Sequence, residues 1–166
     1  MENLRFGRAT LTFGERLSMS VYPHAVARMD LLYMEVGGGH LGLKVVSAVQ
    51  IINALRIVFS SVEYLSLEYT NNNSISLERT NEADRSQWRE LLRSFSNLNV
   101  LHVPQELIPA LSWSLGSEDE NGESPMELLP ELKELSYSGS HDDGDAFTRF
   151  IASRKNVGHP VALVCH

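Results

Sequence analysis

Three glycines, Gly37, Gly39 and Gly42, spell G-x-G-x-x-G between a run that reads as a strand and one that reads as a helix. In a dinucleotide-binding unit such glycines let the backbone approach a pyrophosphate at a helix N-terminus, and an acid about 20 residues further on takes the ribose hydroxyl. Glu68, closing the next strand candidate, would be that acid. It lies 26 residues beyond Gly42, and the preceding strand carries Asp30 and Glu35 where a central parallel strand is almost wholly apolar. The residues favour a plain glycine-rich loop, and a dinucleotide-binding protein using Gly37 to Gly42 stands as the alternative.

His141, Asp142, Asp143 and Asp145 are metal-ligand types, yet neighbours this close in sequence converge only in a fixed loop. Neither H-E-x-x-H nor paired Cys/His spacing accompanies them, and capping of a helix by Asp142, Asp143 or Asp145 accounts for the aspartates. Cys165 near His159 and His166 has the parts of a thiol nucleophile, but a cysteine in a closing strand is more simply packing. His24 and His40 stand alone, and His102 matters only as a surface residue. With neither a G-x-S-x-G elbow nor a phosphate-loop lysine motif, the chain reads as non-enzymatic, with no catalytic site, metal or cofactor expected.

The elements that carry these residues come from a chain of 166 residues, 43% hydrophobic and 21% charged, the composition of one ordinary globular domain spanning 1–166. A net charge of −7 disfavours nucleic acid as a partner. No apolar run reaches the roughly 18 residues of a membrane span, and Met1 to Ala9 lacks the apolar region of a secretory signal. The single Cys165 agrees with a reducing compartment, so a cytoplasmic or nuclear location is expected. Glu118, Asp119, Glu120 and Glu123 read as a solvated loop.

Leu11, Phe13, Leu17, Met19 and Val21 alternate with Thr12, Ser18 and Ser20, the period of two half-buried strands turning at Gly14 and Glu15. A further strand is expected from about Met29 to Val36. Lys44 to Phe59 reads as one very apolar helix, Val62 to Tyr69 as a strand, and Asn71 to Ser74 as a loop. The tripeptide Asn72-Asn73-Ser74 matches a glycosylation signal that an intracellular chain leaves unused.

Asp84 with Gln87 resembles a capping box, and Trp88, Leu91, Leu92 and Phe95 follow on one helical face. After a strand at Leu98 to Val103, Pro104 can open a short helix that Pro109 should interrupt, giving a broken or 3₁₀-like element reaching Leu115. A strand at Leu132 to Tyr137, a helix at about Asp145 to Arg154 with Ala146, Phe147, Phe150 and Ile151 as its stripe, and a strand at Val161 to Val164 complete the chain. Arg154 and Lys155 sit where they favour the helix dipole's negative end.

One spelling recurs, L-x-x-L-x-L: Val62, Leu65, Leu67, then Leu98, Leu101, Val103, then Leu132, Leu135, Tyr137. The central leucines stand at 65, 101 and 135, 36 and then 34 residues apart, the signature of stacked strand-helix units. The runs Trp88 to Leu98, Leu128 to Gly139, and Asp145 to Phe147 through Gly158 to Val161 resemble the C-terminal part of fungal F-box and leucine-rich-repeat-like proteins, a likeness extending over about Leu11 to Leu163. The family's N-terminal F-box has no counterpart here, since the chain opens almost directly into strands.

The resemblance implies an α/β fold: an irregular leucine-rich-repeat-like arc of parallel strands backed by helices, with an N-terminal strand pair. It also implies a receptor that presents client proteins to a ubiquitin ligase, with an orphan repeat scaffold lacking any ligase link as another alternative. In such repeats the leucines point into the core and the x positions line the concave face. Those positions are Glu63, Tyr64, Ser66 and Glu68, then Asn99, Val100 and His102, then Lys133, Glu134, Ser136 and Ser138. A client protein of unstated identity is the expected partner, with ligase components beside it.

Overall fold

The alternation of the N-terminal residues folds into an antiparallel hairpin, β1 (Phe6–Phe13) against β2 (Leu17–Pro23), turning at Gly14 and Glu15. Leu11, Phe13, Leu17, Met19 and Val21 all point to one side and are buried. A third strand, β3 (Leu32–Val36), adds to β2 antiparallel and forms a half-exposed edge. The computed structural model describes residues 6–23, 32–37, 39–70, 82–116 and 128–166. His24, Met29 to Leu31, Asn71 to Ser74 and the acidic stretch Glu118 to Glu123 therefore lie outside the described residues.

The next strand does not pair with β3. Instead β4 (Tyr64–Tyr69) lies parallel to β1, and β5 (Val100–Val103), β6 (Glu134–Tyr137) and β7 (Ala162–Cys165) follow in parallel. The result is a seven-stranded mixed sheet in the order β3-β2-β1-β4-β5-β6-β7. Ala9, Leu65, Leu101, Leu135 and Leu163 are direct register partners across its five parallel strands. The leucines singled out by spacing are thus neighbours in space. Each step from β4 to β7 advances one strand in the same direction, and crossovers of one hand place their helices on one face. The helices are α1 (Leu41–Ala54), α2 (Arg56–Phe59), α3 (Glu82–Arg93), α4 (Ile108–Gly116) and α5 (Thr148–Asn156). The core lies between them and the sheet: Trp88 meets Phe13 edge-on at 5.4 Å between ring centroids, and Phe59 meets Phe95 at 5.8 Å. Buried Lys44, on α1, donates to the Gly14 carbonyl and ties that helix to the hairpin turn.

Several boundaries depart from the sequence reading for local reasons. The single helix expected over Lys44 to Phe59 is divided at Leu55. Helix α3 starts at Glu82, so Asp84 sits within its first turn and is not its cap. Pro104 caps the 3₁₀ turn Gln105–Leu107, and Pro109 falls in the first turn of α4, where its missing N–H costs no hydrogen bond. Pro109 marks the change from 3₁₀ to α and interrupts nothing.

The helix expected from Asp145 is a 3₁₀ segment, His141–Phe147, running into α5, and its cap is Ser140. Ser140 donates from its backbone N–H and its hydroxyl to Asp143 Oδ2, at 2.7 and 3.0 Å, closing a capping box. Gly139, at φ +149°, makes the turn into this box. Gly144 follows where the Tyr137 hydroxyl leaves no room for a Cβ. Ala146 is exposed, so the stripe begins at Phe147. Ser140→Ala is expected to lower stability by about 1 kcal/mol in urea denaturation, as for other lost N-caps. An unchanged midpoint would refute that role.

Arg154 and Lys155 stand in the last turn of α5, as the sequence reading places them, but Arg154 is buried there. It is 0% exposed, and its Nη2 donates to the carbonyls of Pro130 and Leu132 at 3.2 and 3.1 Å. It clamps α5 to the turn that leads into β6. Burial pushes its pKa below the ordinary arginine value, opposed by Glu131. Among the described residues, no helix is long and apolar enough to cross a membrane.

Candidate functional site

Strand residues alternate in direction, so the face of the sheet turned away from the helices carries the complementary set. One row runs Tyr22, Arg8, Tyr64, Val100, Glu134, Ala162, and the next runs Ser20, Thr10, Ser66, His102, Ser136, Val164. Ser18, Thr12 and Glu68 begin a third. Where the helix-facing rows are almost all aliphatic or aromatic, these are rich in hydroxyls. Tyr64, Ser66, Glu68, Val100, His102, Glu134 and Ser136 lie on this face as the repeat spelling requires, and Ser138 follows at the end of β6. Ser136 is only 2% exposed, and its hydroxyl is in contact with the His102 ring.

Glu63, Asn99 and Lys133 stand one residue before their strands and serve as hinges of the stacking. The Glu63 carbonyl accepts from the N–H groups of Asn99 and Val100, at 2.8 and 3.0 Å. The Asn99 carbonyl accepts from Lys133 and Glu134 at the same distances, 2.8 and 3.0 Å. The Lys133 carbonyl then accepts from Ala162 at 2.8 Å. One bridging pattern thus repeats along the sheet.

At the centre of the face, His102 Nδ1 lies 2.9 Å from Ser136 Oγ and its Nε2 lies 3.2 Å from Ser138 Oγ. The His166 ring stands edge-on to it at 5.9 Å, and Thr12 Oγ1 donates to Glu68 Oε2 at 3.0 Å nearby. A neutral imidazole here accepts at one nitrogen and donates at the other, and a serine hydroxyl suits either role. The Ser138–His102 pair has the polarity of a base-activated hydroxyl, but a nucleophile also needs donors aimed at the developing oxyanion. The adjacent 3₁₀ N-terminus is turned instead to its own Ser140–Asp143 box.

Burial, helped by His166 and opposed by Glu68, holds the His102 pKa below the ordinary 6.5. The unfolded chain therefore binds this proton more readily than the folded one. The stability involved is fully present above pH 6.5 and falls as pH drops below that value. His102→Asn is expected to flatten the fall in melting temperature between about pH 7 and 5 relative to wild type. Parallel melting curves for the two proteins would count against it.

At the strand-entry end of the same face lies a groove of about 590 Å³. Glu63, Tyr64, Asn99 and Val100, all expected from the repeat spelling, form one side. Gly7, Arg8, Thr10, Tyr22 and Pro23, from β1 and β2, form the other and were not expected. The alternation of Thr12, Ser18 and Ser20 announces an exposed strand face, but nothing in the sequence places β1 beside β4. The Arg8 guanidinium lies over the Tyr64 ring, 4.1 Å from its centroid.

The other sequence candidates are dispersed. Gly37 and Gly39 follow β3, an edge strand paired with β2, and His40 caps α1 by accepting from the Leu43 N–H at 3.4 Å. Glu68 lies on the opposite face of the sheet from α1, with β2 and β1 between its strand and β3, so loop and acid are not brought together. Among the described residues, no three His, Cys, Asp or Glu side chains gather as metal ligands. Cys165 packs against the core with Sγ 3.5 Å from the Gly139 carbonyl oxygen, and the ring that His166 meets is His102. Comparison with family models, with curated proteins and with solved structures gives no match for this chain.

Proposed function

We propose that the chain is a non-enzymatic protein-recognition module, an irregular leucine-rich-repeat-like arc that binds a client protein on the open face of its sheet. The observation that carries this reading is the register of Leu65, Leu101 and Leu135 together with the packing of the described helices against one face of the sheet. Parallel sheets are normally covered on both faces, and stacked strand-helix repeats are the architecture that leaves one face free for a partner. Hydroxyls and a few charges on a rigid face suit a polar protein surface better than an apolar ligand.

The family likeness adds the expectation that the client is delivered to a ubiquitin ligase in the cytoplasm or nucleus. Affinity capture from host lysate, with the bound proteins identified by mass spectrometry, tests both levels. Ser66→Arg places a long charged side chain in the middle of the face and is expected to abolish capture of the client. Co-capture of a ligase adaptor and cullin is the expected sign of the receptor role, and a client captured without them makes the chain a scaffold outside the ligase. Equal capture by wild type and Ser66→Arg would overturn the binding face itself.

A further inference from the structure

The groove at the strand-entry end holds a cation already positioned for recognition. Arg8 is exposed, its guanidinium carbon lies over the Tyr64 ring at 4.1 Å from the centroid, and Tyr22 is its register partner on β2. A guanidinium stacked on an aromatic ring keeps its N–H edges directed outward, in the fork geometry that matches a carboxylate in two parallel hydrogen bonds. Among the described residues, no acidic side chain is paired with Arg8, while Arg16, at the far end of the hairpin, is paired with Glu35 at 3.3 Å. The volume, about 590 Å³, is that of a site for one or two residues, and Tyr22, Pro23 and Tyr64 supply apolar walls with Thr10 and Asn99 as polar contacts. Glu63 also lines the groove, so a dianion meets more repulsion there than a single negative charge.

We infer that this groove is the site for a carboxylate side chain of an extended client segment, gripped by Arg8 on its Tyr64 platform. The inference rests on the client-binding reading of the open face and names the chemistry of one anchor within it. The groove crosses β2, β1, β4 and β5, so an extended segment laid over it places one side chain against Arg8 while the side chains two residues away, on the same side of the segment, meet the tyrosines.

The test uses blocked peptides of alternating valine and threonine, identical except for a central glutamate, glutamine or phosphoserine, titrated into isotope-labelled full chain and followed by amide NMR. The glutamate peptide is expected to shift Gly7, Thr10 and Val100. The glutamine peptide, and the glutamate peptide on Arg8→Gln, are expected to bind at least about tenfold more weakly. Arg8→Lys should recover only part of the loss, because an ammonium keeps the charge without the fork. Equal binding of the glutamate and glutamine peptides, tighter binding of phosphoserine, or absence of shifts with glutamate would each overturn the assignment. Client capture separates this inference from its foundation. Capture lost in Ser66→Arg but intact in Arg8→Gln leaves the binding face standing and removes the groove, whereas capture intact in both removes the face.

Discussion

Trp88→Ala is expected to lower the free energy of unfolding by about 3 to 5 kcal/mol, close to the whole margin of an ordinary domain. Trp88 is among the largest fully buried side chains, and it sits where α3 meets the sheet, its ring edge-on to Phe13 of β1 at 5.4 Å. Truncation to a methyl group removes that aromatic contact and leaves a cavity walled on one side by the rigid sheet, which closes poorly. Helix and hairpin are thereby loosened together, although their residues are far apart in sequence. Guanidinium denaturation measures the loss. A midpoint within error of wild type would show that α3 does not pack on the hairpin in this way.

Leu101→Ala and Leu135→Ala are each expected to cost about 2 to 5 kcal/mol, and Leu163→Ala no more than about 1 kcal/mol. The three leucines are register partners on consecutive parallel strands, but Leu101 and Leu135 are covered completely while Leu163, on the edge strand, is 39% exposed. The same substitution in the same row therefore isolates burial as the variable. Equal, small losses at all three positions would remove the stacked-unit account of the core.

The fold was legible wherever period decided the outcome. Leu65, Leu101 and Leu135 could be lined up from spacing because each strand-helix unit has nearly the same length, and the spelling around them fixed which residues turn outward. The stripe Trp88, Leu91 and Leu92 gave α3 for the same reason, although the helix ends at Arg93 and Phe95, expected as its last residue, packs from just beyond it. What the sequence withheld depends on contacts between distant segments. Hairpin alternation says that β1 has one buried face, but not that its free edge receives β4, so Arg8, Thr10 and Tyr22 were missed as part of the groove.

Arg154 does stand in the last turn of α5, as read from the sequence, but its burial was not legible there, because a cation at that position normally serves the dipole from the surface. Its burial follows from two carbonyls, those of Pro130 and Leu132, arriving from another segment. The cap at Ser140 was missed because three aspartates nearby are equally good cap residues by type. Only the turn at Gly139 brings Ser140 N–H onto Asp143.

The measurement that bears most directly on the open face as the binding surface is a comparison of client affinity across three proteins: wild type, Ser66→Arg on the open face, and Ser86→Arg on the solvent side of α3. Ser86 is exposed in the helix layer, so its replacement adds the same charge and bulk on the other side of the molecule. The expected result is wild-type affinity for Ser86→Arg and a loss of at least about a hundredfold for Ser66→Arg, the size of a central interface disruption. Equal affinities for all three would take the client off the open face, a loss confined to Ser86→Arg would place it on the helices, and either result would contradict the account.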